Sequence, residues 1–193
     1  MKSICVFCGS NFGTRAEYEM AARTTGAAIA ASGMALVYGG AKVGLMGAVA
    51  DGALAAGGRV IGVLPKALQE KELAHDGLSD LHIVTSMHER KAKMAELSDG
   101  FIALPGGAGT LEEIFEIWTW GQLGFHNKPC GFLNTAGFYD GLLSFLDHQT
   151  GEGFMKPEMR GIMMAETDPY RLLEAFSRYE PPKTPKWIKR DET

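Results

Sequence analysis

The residues able to do chemistry gather around a glycine-rich turn. In Leu104-Pro105-Gly106-Gly107-Ala108-Gly109-Thr110-Leu111-Glu112-Glu113, three glycines fall within four positions and a threonine follows. The apolar run Gly100 to Leu104 before it reads as a buried strand, and a helical pattern, about Leu111 to Leu123, comes after. Glycines let a ligand approach backbone N–H groups closely. A helix start adds free donors and the positive end of the helix dipole. Gly106, Gly107, Ala108, Gly109 and Thr110 are therefore candidate phosphate ligands. A second reading stays open: Thr110-x-x-Glu113 also fits a capping box, in which the two side chains only satisfy backbone N–H groups. The dinucleotide fingerprint needs a third glycine and a P-loop needs Gly-Lys-Ser/Thr, so neither fits.

Two charged residues sit at apolar positions nearby. In Met87 to Leu97 the apolar stripe is Met87, Met94 and Leu97, and helical spacing puts Arg90 on it, with Lys91 flanking. Glu89, Lys93 and Glu96 take the solvated face. A guanidinium on a buried stripe needs an anionic ligand or a structural ion pair, and both remain open. Glu113 shares a face with Ile114, Ile117 and Trp120 and also points inward. A carboxylate repels phosphate, so it suits sugar hydroxyls or a developing positive charge.

The elements that must position these residues alternate. Strands are expected at Lys2–Phe7, Ala35–Tyr38, Arg59–Leu64, Leu81–Val84, Gly100–Leu104, Cys130–Leu133 and Ile162–Ala165. Helices are expected at Ala16–Ala31, capped by Thr14, and at Met46–Ala56, Met87–Leu97, Leu111–Leu123, Tyr139–His148 and Pro169–Arg178. Such alternation predicts an α/β, three-layer Rossmann-like fold, a mainly parallel sheet with helices on both faces. One nucleotide-binding domain is expected over 1–193, with about 180–193 as a loose tail. Ligands bind such sheets outside the carboxyl ends of the strands. Gly9–Gly13 and Gly39–Gly47 fall at such ends too, which adds Gly9, Ser10, Gly40, Gly44 and Met46 as further candidates.

Composition narrows the function. The chain is 46% hydrophobic with a formal net charge of -4, an ordinary globular balance without the basic surplus of a nucleic-acid binder. No apolar run is long enough for a membrane span and no leader is evident, so a cytoplasmic protein is expected. Cys5 and Cys8 lie three apart on a strand and face opposite sides, so they read as reduced core residues rather than a redox pair. The histidines lack ligand spacing, so no metal is expected.

Met87-His-Glu-Arg-Lys91 together with Pro105-Gly-Gly-Ala-Gly-Thr-x-x-Glu113 resembles the Lonely Guy (LOG) family of cytokinin riboside 5′-monophosphate phosphoribohydrolases. Val6-Phe-Cys-Gly-Ser10 and Tyr38-Gly-Gly-x-x-x-Gly-Leu-Met-Gly47 match as well. The resemblance implies Arg90 and Glu113 as the catalytic pair. It also implies Glu72, Lys91, Gly107 to Thr110 and Thr119 as ligand contacts, no cofactor, and a homodimer with sites near its interface. The apolar girth of Leu111–Leu123 fits such an assembly. The implied reaction is hydrolysis of the N-glycosidic bond of a nucleoside monophosphate. A general AMP nucleosidase and a non-catalytic nucleotide or cofactor carrier are the alternatives. Family members often carry a lysine decarboxylase label, but no motif here identifies a pyridoxal-phosphate lysine.

Overall fold

The computed structural model describes residues 1–69 and 74–182. Glu72 and the end of the chain beyond 182 lie outside the described residues. The strands are β1 (Ser3–Phe7), β2 (Ala35–Tyr38), β3 (Val60–Pro65), β4 (Asp80–Val84), β5 (Gly100–Ala103), β6 (Cys130–Leu133) and β7 (Met163–Glu166). The helices are α1 (Ala16–Ala31), α2 (Gly44–Ala55), α3 (Lys66–Gln69), α4 (Met87–Glu96), α5 (Ala108–Leu123), α6 (Asp140–Gly151), α7 (Pro157–Arg160) and α8 (Pro169–Ser177). The strands form one seven-stranded sheet in the order β4-β3-β2-β1-β5-β6-β7, with every pairing parallel. Central strands such as β1 and β3 are buried throughout, while the edge strand β4 alternates. That is the pattern of a sheet covered on both faces.

Strand alternation sorts the core into two layers. Ile4, Val6 and Cys8 join α1, α2 and α8 on one face, while Cys5 and Phe7 join α4, α5 and α6 on the other. Cys5 and Cys8 therefore point apart, and both are free thiols in the core.

Two expectations about helix starts need correction. Thr14 does not cap α1, whose N-cap is Arg15 with no side-chain bond. Helix α5 begins at Ala108, three residues earlier than expected, because Ala108, Gly109 and Thr110 also take helical backbone after the extended N-cap Gly107. The short α3, α7 and a 3-10 turn at Thr135–Gly137 carry too little periodicity to be seen in sequence.

Chain order reverses between β1 and β5, since β2, β3 and β4 lie to one side of β1 and β5, β6 and β7 to the other. The loops leaving these two neighbours diverge, and a crevice opens between them.

Candidate active site

The crevice is a cleft of about 280 Å³. Gly9, Ser10 and Asn11 from the β1–α1 loop and Pro105, Gly106 and Gly107 from the β5–α5 turn form one side of its lining. Phe12, Tyr18, Leu45 and Phe138 supply an apolar wall. Gly44 supports the loop from below. Its φ is +53°, and a Cβ there would strike the backbone of Ser10.

The start of α5 decides between the two readings of its sequence. The N-cap is Gly107, in extended backbone, and no side chain caps this end. Thr110 lies inside the first turn, so Thr110-x-x-Glu113 does not form a capping box. Its side chain is buried instead against Gly106. The donors of the first turn thus keep no side-chain partner at the edge of the cleft. The glycines divide by role. A Cβ on Gly106 would strike Thr110, whereas a Cβ on Gly107 or Gly109 would meet no protein atom within 4 Å. Packing therefore explains Gly106 but does not explain the other two.

Arg90 is buried where the carboxyl ends of β2 and β3 meet α4. Its Nε donates to the Val63 carbonyl at 3.1 Å and its Nη2 to the Gly39 carbonyl at 3.4 Å. Its Nη1 reaches Glu113 Oε1 at 3.3 Å, a single contact rather than a two-pronged fork. Both side chains are nearly closed to solvent, at 10% and 12% exposure. Burial pushes the Glu113 carboxyl above its ordinary value, while the Arg90 guanidinium pulls it back. Cys8 sits close enough to feel the pair. Burial first, then the Glu113 charge, holds its thiol protonated, so it offers no thiolate.

The other candidates divide. Gly9, Ser10, Gly106 and Gly107 line the cleft. Met46 stands beside Gly39, and thus beside Arg90. The Gly40 carbonyl accepts the His75 N–H at 3.1 Å. Lys91 is as buried as Arg90 rather than flanking the stripe, and Met87 is exposed. Lys91 pairs with Glu112 and, at 2.8 Å, with Glu116, so it joins α4 to α5. Burial opposes its charge, yet the two carboxylates hold its pKa above the ordinary lysine value. A lysine kept protonated is the reverse of what Schiff-base chemistry needs. Thr119 is exposed, with its hydroxyl donating to the Phe115 carbonyl at 2.8 Å. It lies about 16 Å along α5 from the first turn, too far to reach the same phosphate.

Sequence reasoning missed Gly39 and Val63. Gly39 offers a carbonyl to Arg90, and its missing side chain leaves room for the guanidinium. The glycine turn that begins at Gly39 was the available signal for that residue; nothing local marks Val63, which acts through a backbone oxygen.

A family model described as "Possible lysine decarboxylase" matches residues 46–176. The cytokinin riboside 5′-monophosphate phosphoribohydrolase of Rhodococcoides fascians is 54% identical over 160 residues, covering 82% of this chain and 81% of that protein. One Arabidopsis thaliana enzyme of the same name is 45% identical over 180 residues, covering 93% of this chain and 84% of that protein. The chain belongs to this phosphoribohydrolase family. The family's fold extends to more distant proteins. A molybdenum cofactor binding protein from Rippkaea orientalis superposes with a TM-score of 0.70 at 23% identity, covering 92% of this chain and 97% of that one. At that identity the likeness concerns the fold alone.

Proposed function

We propose that this chain hydrolyses the N-glycosidic bond of N6-substituted adenosine 5′-monophosphates, releasing the free base and ribose 5-phosphate. The observation that carries the reading is the placement of Glu113 one turn inside an uncapped helix start. From Gly109 to Glu113 the helix rises about 6 Å, roughly the reach of a ribose ring and its 5′ carbon. A phosphate on the first-turn donors then brings the anomeric carbon to the carboxylate. As the bond to the base breaks, its electron pair leaves with the base and the sugar gains oxocarbenium character. Glu113 stabilises that charge and orients the ribose hydroxyls or the attacking water. The water oxygen adds to the anomeric carbon, and its proton balances the base. Arg90, fixed by the carbonyls of Val63 and Gly39, orients the ligand and assists the departing base.

Phosphate recognition falls to Gly106, Gly107, Ala108, Gly109 and Thr110, with Gly9 and Ser10 beside them on the same side of the cleft. Incubation with AMP, N6-isopentenyl AMP and their nucleosides, following free base, tests the reading. Both monophosphates are expected to be cleaved orders of magnitude more efficiently than the nucleosides, since each charge-assisted bond to the dianion contributes about 1.5–3 kcal/mol. Release of neither base would favour a carrier, and equal rates for the two monophosphates a general AMP nucleosidase.

The working form we propose is a homodimer. Phe115, Trp120 and Leu123 on α5 are only half-buried in one chain, and Thr119 projects from the same outer region. A second copy packed there would cover these side chains and bring Thr119 towards a neighbouring site. A mass near 20.8 kDa by light scattering would count against this. Among the described residues no helix is long and apolar enough to cross a membrane. The free thiols Cys5, Cys8 and Cys130 suit a reducing cytoplasm.

A further inference from the structure

We propose that Tyr139 is a positioning residue for the phosphate turn, acting through the carbonyl of Leu104. This rests on reading Gly106 to Thr110 as the phosphate site. Leu104 follows the last residue of β5, and its N–H still donates to the Phe7 carbonyl of β1 at 2.9 Å. The next N–H of the chain leaving β1, that of Gly9, goes to the Pro105 carbonyl instead, so among the described residues no strand supplies the Leu104 oxygen with a donor. Tyr139, just before α6, supplies it from 35 residues away, its hydroxyl donating to the Leu104 oxygen at 2.6 Å.

The next carbonyl, that of Pro105, accepts the Gly9 N–H at 3.1 Å. Peptide units are planar, so a fixed carbonyl fixes the nitrogen that follows it. Tyr139 thereby orients the Leu104–Pro105 plane, and Gly9 orients the plane that carries the Gly106 N–H. The direction of the donors beyond depends on both. Tyr139 is itself held on two sides. Its N–H donates to Asn134 Oδ1 at 2.7 Å, and its ring packs 4.4 Å from Phe132 and edge-on to Phe138, which lines the cleft. Burial keeps the phenol protonated and therefore a donor.

Removing this hydroxyl strands a buried carbonyl, so lost stability alone says nothing about function. The discriminating measurement on Tyr139→Phe is the split between KM and kcat for N6-isopentenyl AMP, with calorimetric affinity for ribose 5-phosphate. KM should rise about tenfold and ribose 5-phosphate affinity fall by a similar factor, the scale of one hydrogen bond, while kcat changes less than about threefold. Asn134→Ala loosens the same anchor from its other end. It should move KM the same way by a smaller factor, and it serves should Tyr139→Phe not fold. Native KM and native ribose 5-phosphate affinity in a folded variant, or a loss confined to kcat, would overturn the proposal. Gly107→Ala is the control. If it binds ribose 5-phosphate weakly while Tyr139→Phe binds normally, only the anchor falls; if it binds normally, the phosphate turn falls and the anchor with it.

Discussion

The starts of α4 and α5 carry the same pattern, Ser86-x-x-Glu89 and Thr110-x-x-Glu113, and use it in opposite ways. At α4, Ser86 is the N-cap and accepts the Glu89 N–H at 3.1 Å. Glu89 turns back and accepts both the N–H and the hydroxyl of Thr85 at 2.6 Å. Those bonds hold its carboxyl below the ordinary value. At α5 the cap is Gly107, Thr110 lies in the first turn, and Glu113 meets Arg90 rather than the backbone. Burial there raises its carboxyl. One end is sealed by its own side chains. The other leaves its first-turn donors without a side-chain partner and turns its carboxylate to Arg90, as the proposed phosphate and sugar roles require.

The sharpest way to break this comparison is Glu113→Gln. An amide oxygen can still accept from Arg90, so the melting temperature should stay near native. Loss of the charge should lower kcat at least about a hundredfold, the scale of one transition-state electrostatic contact. An active Glu113→Gln enzyme would make Glu113 as structural as Glu89. Arg90→Ala is a poorer probe of the site. It strands two backbone carbonyls and a buried carboxylate, so it should lose several kcal/mol of stability, on the order of 3–5, as well as activity.

The glycines of the open end give the next effect. Gly107→Ala meets no protein atom, so the fold should be kept while KM for a monophosphate rises about tenfold or more, the loss of one charge-assisted bond. Gly106→Ala should instead unfold more readily, because its Cβ would lie 2.7 Å from the Thr110 Cβ and 2.9 Å from the Gly9 nitrogen. Equal behaviour of the two variants would erase the distinction between packing and ligand roles.

At the sealed end, Ser86→Ala should cost about 1 kcal/mol of stability and leave KM unchanged. A change in KM would show that α4 capping also serves the ligand. The smallest effect concerns pH. In the proposed reaction Glu113 acts as an anion, and its folded pKa is raised above 4.5. kcat/KM should therefore fall with decreasing pH through a limb that lies above 4.5, and Glu113→Gln should lack that limb. A limb below the ordinary carboxylate range would contradict the burial of this group.

The sequence determined a good deal by itself. Strand and helix alternation prescribes a parallel sheet, and glycines after β1, β2 and β5 mark its working edge. Helical spacing points Arg90 and Glu113 inward, because periodicity encodes which way a side chain faces. Periodicity does not encode what the side chain meets. Thr110 reads as a cap until the real start of α5 is known, and Lys91 reads as peripheral until Glu112 and Glu116 are seen around it. Arg90 finds its carbonyls 27 and 51 residues away, and Tyr139 finds Leu104 at a distance of 35. Only packing of the sheet brings such partners together, and a backbone oxygen leaves no trace in residue identity. Tertiary structure therefore decided which inward groups are joined, and which helix start stays open.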